Sequence, residues 1–389
     1  MTSPTLFLSV EITVMKKFFW FHKRVEKVSF LKNPTLQTFL VGLFIGIGLS
    51  ILCMHKTENY SFYSYGPPNN EVSYFKSGTD HSLNDSHHQM IDTELADKIA
   101  KKVRVLCWIM TGPANHLTRA IHVKATWGKR CDKLIFMSTV DDPSLPSVAL
   151  PVIEDRPHLW GKTKRAMQYV YENYYDKYDW FFKADDDTYT VMENLKYLLY
   201  YKNASEPVYY GCRLKLAKET EAPMDFMSGG AGYVLSKEAL KRFVQEALPN
   251  SKVCRQEDTG DEDVEISKCL QGVGVNLGNS LDEEDRNRFT PVFVNYMLIP
   301  GIMNEVEWYT RMMYNPYNLG VTCCSDYLIT THYVNPQQMY LLEYLIYHVT
   351  PFGRAYKPIL HKSAKKPTGI FNSYNHDSSS KEPSWDEYN

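Results

Sequence analysis

From Leu36 to Met54 the chain runs almost without a polar side chain, Gln37, Thr38 and Ser50 being the clear exceptions. Such a run roughly matches the ~20 apolar residues a helix needs to cross the hydrocarbon of a bilayer. Basic residues gather before it, Lys16, Lys17, Lys23, Arg24, Lys27 and Lys32 against Glu11 and Glu26, whereas Lys56 is followed by polar, partly acidic sequence. Positive flanks stay cytosolic. Residues 1–35 are therefore expected to form a cytosolic tail, 36–54 a transmembrane anchor, and the rest a lumenal part. A cleaved leader would begin earlier, be shorter and end in a small-residue site; no A-x-A pattern follows Met54.

Cysteine placement agrees with an oxidising compartment. Apart from Cys53 inside the run, the cysteines are Cys107, Cys131, Cys212, Cys254, Cys269, Cys323 and Cys324, all on the lumenal side. Their odd number allows three bridges and one leftover thiol, or an intermolecular pair, and the pairing stays open. No C-x-x-C spacing occurs, so zinc has no support. The net charge of −2 hides no block of one sign, which argues against a nucleic-acid partner.

Residues 55–100, rich in Ser, Asn, His and Tyr with Pro67-Pro68, read as a stem, and 361–389 as a disordered tail. Asn84 and Asn203 begin N-x-S sequons, both lumenal by this topology. Between stem and tail, 101–360 is expected to be the catalytic domain. Its apolar pattern alternates: a strand over Val103 to Met110, a helix over Ala114 to Trp127 with Leu117 and Ile121 one turn apart, a strand over Lys133 to Met137. A helix over Leu159 to Tyr174, an aromatic strand over Tyr178 to Ala184, and a helix marked by Val191, Leu195, Leu198 and Leu199 follow. Strand–helix alternation predicts an α/β fold with a mainly parallel sheet, whose ligands gather beyond the strands' carboxyl ends.

At one such end stands Asp185-Asp186-Asp187. Three carboxylates within one turn repel one another unless a cation sits among them, and hard oxygens suit Mg²⁺ or Mn²⁺. A metal held there can bridge a diphosphate and offset the charge of its departure; a solvated acidic turn is the plain alternative. Asp261-Glu262-Asp263 precedes a short helical pattern, as helix-capping charges or as a source of a general base. Ser228-Gly229-Gly230-Ala231-Gly232 allows close approach to a sugar, or tight packing. His332 lies in a short β-like run, where a lone histidine is usually structural. Trp308, Tyr309, Tyr314 and Tyr317 would suit sugar faces or a core equally.

Taken in order, the aromatic strand, the triple Asp, the glycine segment, Glu262-Asp263 and His332 resemble the inverting β1,3-glycosyltransferases of the Golgi. The runs His122 to Trp127, Lys183 to Tyr189, Met227 to Phe243, Cys323 to Asp326 and His332 to Val334 extend that resemblance, over Val103 to Gly353, to the core 1 β1,3-galactosyltransferases among them. The resemblance implies a Rossmann-like fold of the nucleotide-sugar transferase A type, Mn²⁺, UDP-galactose as donor, and GalNAc on Ser or Thr of glycoproteins as acceptor. By position it makes Asp185, Asp187 and His332 metal ligands and Asp263 the catalytic base. Asp186, Trp127, Lys162, Gly229 and Gly230 fall on the donor side, and Trp308, Tyr309 and Glu262 on the acceptor side. It further implies a Golgi type II membrane protein that pairs as a homodimer, with Gly42 and Gly46 giving a small-xxx-small face in the span. Four residues after Asp263, where many family members carry Gly, this chain has Ser267. A chaperone-like relative without catalysis and a fringe-like N-acetylglucosaminyltransferase are the rival readings. The intact triple Asp, Asp263 and His332 speak against the first, the Cys-Cys-Ser-Asp and glycine runs against the second.

Overall fold

The structure, a computed structural model, describes residues 93–216, 224–299, 307–315 and 317–351. The apolar run, the stem, Asn84 and the tail lie outside them. Among the described residues no helix is long and apolar enough to cross a membrane.

After helix α1 (Glu94–Lys102), strand β1 (Val105–Met110) is buried at every position. Its alternating side chains therefore feed two cores: Val105, Cys107 and Ile109 into one, Leu106, Trp108 and Met110 into the other. Burial on both faces marks a central strand of a sheet covered on both sides. Each fully buried large apolar side chain contributes about 1.5–3 kcal/mol. Strands β2 (Lys133–Ser138) and β3 (Ser147–Ala149) add in parallel on one side of β1, and β4 (Trp180–Asp185) adds in parallel on the other. After β5 (Tyr189–Thr190) come β6 (Val208–Gly211), the hairpin β7 (Arg213–Leu216) and β8 (Met224–Met227), and β9 (Tyr233–Ser236). With β10 (Asn276–Leu277) the main sheet has seven strands in the order β10-β6-β9-β4-β1-β2-β3, only β9 running antiparallel to its neighbours. The mainly parallel α/β core read from the sequence is present. Strand order reverses between β1 and β4, which is where a doubly wound sheet opens a crevice at its carboxyl edge.

The predicted helix after β1 is broken. Residues 113–115 form a 3₁₀ turn, His116–Ala120 a π turn, and Ile121–Ala125 a short helix, α2. Leu117 points outward at 58% exposure, so only Ile121 of the expected pair joins the core. Helices α3 (Leu159–Tyr174), α4 (Met192–Tyr200), α5 (Lys237–Arg242), α6 (Glu262–Gly272) and α7 (Pro336–Tyr347) complete the cover. A small second sheet, β11 (Phe289–Thr290), β12 (Thr330–Thr331) and β5, leans on the carboxyl end of β4.

Three bridges form. Cys107–Cys131 ties β1 to the entry of β2, Cys254–Cys269 ties α6 to the loop before it, and Cys323–Cys324 joins neighbours. Cys212 stays a buried thiol, so it drops out of the disulfide set.

Candidate active site

Asp185 is the last residue of β4, and Thr188 N–H closes the following turn on its carbonyl. The chain then enters β5, whose Tyr189 pairs with Thr331 of β12. That register delivers His332 to the acidic turn, fixed by the Val334 N–H on the Asp187 carbonyl at 2.8 Å. Nε2 of His332 lies 3.1 Å from Oδ1 of Asp187 and 4.0 Å from Oδ2 of Asp185. Nδ1 sits 3.0 Å from the carbonyl of Pro291. A carbonyl only accepts, so Nδ1 carries a proton; Nε2 donates to the Asp187 carboxylate when the ring is protonated, and in the neutral ring would turn its lone pair to a cation held between the carboxylates. One ligand atom from each of Asp185, Asp187 and His332 lies within 4.8 Å of the others. Burial would push the His332 imidazole down, but Asp187 and Asp185 together hold it above its ordinary value. Asp187, which burial alone would raise, is lowered by the bond from His332. Two carboxylates and an oriented imidazole fit a divalent cation.

The second acidic group arrives on α6. Oδ2 of Asp263 accepts from Gly229 N–H, and Oδ1 from Val264 N–H, each at 3.0 Å. Burial, then the neighbouring Glu262, push the Asp263 carboxyl up to about 6, against the Gly229 bond and the Lys183 ammonium. The residue is thus held ionised at neutral pH yet close to the range in which it takes a proton, as suits a general base. Glu262 is spent within the protein, its Oε1 accepting from Tyr233 Oη at 2.6 Å and Thr163 Oγ1 at 2.9 Å. It braces the site through Oε1, while its Oε2 lies 3.9 Å from Lys183 Nζ. Ser267 is fully buried and pairs with Tyr209 Oη at 2.7 Å, so its hydroxyl is satisfied.

Lys183 links the two groups. From the buried face of β4 its Nζ donates to Asp185 Oδ1 at 2.6 Å and to the Gly229 carbonyl at 3.0 Å. Burial would strip its proton, but Asp185, Glu262 and Asp263 hold the ammonium well above the ordinary lysine value. The sequence carried a signal for it: a lysine inside an otherwise apolar strand needs carboxylate partners. Arg119, also not foreseen, donates from Nη1 to Asp187 at 3.0 Å and to Asp186 at 3.4 Å.

Several residues expected at donor and acceptor contacts meet the protein's own groups. Trp127 is fully buried, edge-on to Phe182, and belongs to the core. Lys162 is buried, its ammonium committed to the Thr111 carbonyl and to both oxygens of Glu154. Asp186 faces inward, accepting from Thr111 Oγ1 at 2.7 Å, and so fastens the end of β4 to the end of β1; burial pushes its carboxyl up to about 6. A Cβ on Gly230 would stand 2.2 Å from the His332 ring, and one on Gly229 2.8 Å from Glu262 Oε2. These glycines admit the site's own side chains. Tyr309 is fully buried beside Tyr317, so its ring offers no face to a sugar. The side chain of Trp308 lies outside the described residues. Asn203 is exposed in a turn, its side chain accepting from Ser205 N–H.

Comparison with known proteins gives the following similarities. A Fringe-like family model matches residues 100–281. The chain is 43% identical over 271 residues, 69% of its own length and 73% of the relative's, to glycoprotein-N-acetylgalactosamine 3-beta-galactosyltransferase 1 of Xenopus laevis. Chondroitin sulfate synthase 3 of Mus musculus is 32% identical over 43% of this chain and 20% of that protein. The beta-1,3-glucosyltransferase of Mus musculus is 29% identical over 46% of this chain and 36% of that protein.

Proposed function

This chain belongs to the glycoprotein-N-acetylgalactosamine 3-beta-galactosyltransferases, and from that premise we propose that it transfers galactose from UDP-galactose, in β1,3 linkage and with inversion, to GalNAc α-linked to Ser or Thr of glycoproteins. The observation that carries the mechanism is the pairing of two acidic groups through one lysine. Asp185, Asp187 and His332 form a metal-ligand set, and Lys183 connects it to the loop that aims Asp263.

Asp185, Asp187 and His332 would hold Mn²⁺, which would supply charge stabilisation to the departing diphosphate. The β1–β4 crevice beside them takes the nucleotide, in a nucleotide-sugar transferase A-type domain. Asp263 accepts the proton of the acceptor's 3-hydroxyl as that oxygen forms its bond to the anomeric carbon, and the bond to UDP breaks in the same displacement. A single carboxylate suffices because no sugar–enzyme intermediate forms. Gly229 and Val264 N–H groups keep that carboxylate aimed, and Lys183 favours its ionised form. The span 36–54, the lumenal orientation, Golgi residence and homodimer are part of the same reading, supported by the basic flank and the disulfides.

The full-length chain in detergent, supplied with UDP-galactose, Mn²⁺ and a GalNAc-bearing peptide, should yield a β1,3-linked disaccharide that chelation abolishes. Transfer of GlcNAc to a fucosylated acceptor instead would replace this reading with the fringe-like one. No transfer of any UDP-sugar, with the fold intact, would favour the chaperone-like one.

A further inference from the structure

Near the carboxyl ends of β1 and β4, Lys183, Lys162 and Arg119 are cations with different freedom. Lys183 is sealed under Asp185 and the Gly229 carbonyl, and Lys162 is sealed by Glu154 and the Thr111 carbonyl. Lys162 spends all three of its donors inside the protein, and Lys183, almost fully buried, has only Glu262 Oε2 at 3.9 Å beside its third. Arg119, on the π turn that follows β1, is 46% exposed, and its hydrogen bonds among the described residues run from Nη1 alone, to Asp187 Oδ2 and Asp186 Oδ1.

Asp187 is therefore shared between two claimants. Its Oδ1 faces His332 Nε2 and its Oδ2 faces Arg119 Nη1. A divalent cation bound by Asp185, Asp187 and His332 takes up the charge of Asp187, which weakens the hold of that carboxylate on the guanidinium. Asp186 keeps the Thr111 bond that buries it, and its 3.4 Å contact with Arg119 is the longer one. A guanidinium loosened in this way stands beside the acidic turn with an unspent fork, the shape that binds phosphate oxygens in pairs.

The geometry points to Arg119 as a ligand of the donor diphosphate, released from Asp187 when the metal binds. This rests on the nucleotide-sugar reading above. The rival role is a plain counter-charge for the acidic turn, and the two differ in the sign of an effect. If Arg119 only balances Asp186 and Asp187, removing it makes the site more negative and leaves metal-dependent UDP binding unchanged or tighter. If it binds diphosphate, removing it weakens UDP while Mn²⁺ alone binds as well as before or better.

The test uses the full-length chain in detergent, with UDP titrated calorimetrically at saturating Mn²⁺ and Mn²⁺ alone followed by paramagnetic resonance. Arg119→Met is expected to weaken UDP binding roughly 10- to 100-fold, the range of one or two charge-assisted bonds, with no loss of Mn²⁺ affinity; Arg119→Lys should restore part of it. Arg119→Gln, which keeps a polar group on the turn, should repeat the loss with the unfolding transition unchanged. Unaltered or tighter UDP binding in both Met and Gln variants would overturn the assignment and leave the donor reading standing. Parallel loss of Mn²⁺ and UDP binding would also overturn it, as a structural role. A wild-type chain that binds no UDP would overturn the donor reading itself.

Discussion

The main-chain N–H of Gly229 donates to Oδ2 of Asp263 at 3.0 Å, while the carbonyl of that same residue accepts from Lys183. One glycine residue, through the peptide groups on its two sides, thus holds both the proposed base and the cation that favours its charge.

Asp263→Asn keeps the shape of that contact and removes the base. Turnover should fall by roughly 10² to 10⁴ with UDP–Mn²⁺ affinity retained, measured by initial rates beside calorimetric titration. Near wild-type turnover would take Asp263 out of the role.

The pH profile follows from the same carboxyl. With Asp263 pushed up to about 6, mainly by burial, the base is ionised above that value and is lost as pH falls through it. The kcat/KM profile should therefore bend near pH ~6, with close to a tenfold loss per further unit. The raised value also means the folded chain binds this proton more readily than the unfolded one, so ionising Asp263 costs stability as pH rises from the ordinary carboxyl range through about 6. A profile flat down to pH ~4.5 would assign the proton transfer elsewhere.

Gly230→Ala places a methyl 2.2 Å from the His332 ring and so must move the imidazole. Mn²⁺ affinity is expected to fall roughly 10- to 100-fold, as for a displaced ligand's support, while far-UV circular dichroism stays as in the parent. Unaltered Mn²⁺ titration would remove His332 from the ligand set.

Lys183→Met leaves Asp185, Glu262 and Asp263 without their shared cation. Breaking a buried ion pair from one side costs about 3–5 kcal/mol, to be read from denaturant unfolding of the metal-free chain. The loss should shrink when Mn²⁺ is present, because the metal takes over part of the charge on Asp185. A variant as stable as the parent would show that Lys183 holds nothing together.

Cys254→Ala opens the bridge to Cys269 within α6, a closed loop of sequence separation 15. About 3 kcal/mol of stability should go with it, seen as a lower thermal midpoint, together with a weaker Asp263 function because α6 presents that carboxylate. An unshifted midpoint would mean that packing alone holds the helix.

The sequence by itself determined the layered core and the ingredients of the site. Wholly apolar β1, and β4 apolar but for Lys183 and Asp185, had to lie inside a covered sheet, since burial on both faces is written in consecutive residues. Carboxylates at a strand's end and at a helix start were legible for the same reason: they are local. What tertiary structure decided was who meets whom. His332 reaches Asp187 only because β12 pairs with β5 at Thr331 and Tyr189, a contact across more than a hundred residues that no short pattern encodes. Trp127, Lys162, Tyr309 and Glu262 carry side chains suited to ligands, yet packing assigned them to the core or to internal partners. Whether a polar or aromatic group faces a cleft or its own protein depends on which neighbours satisfy it first, and those neighbours come from distant parts of the chain.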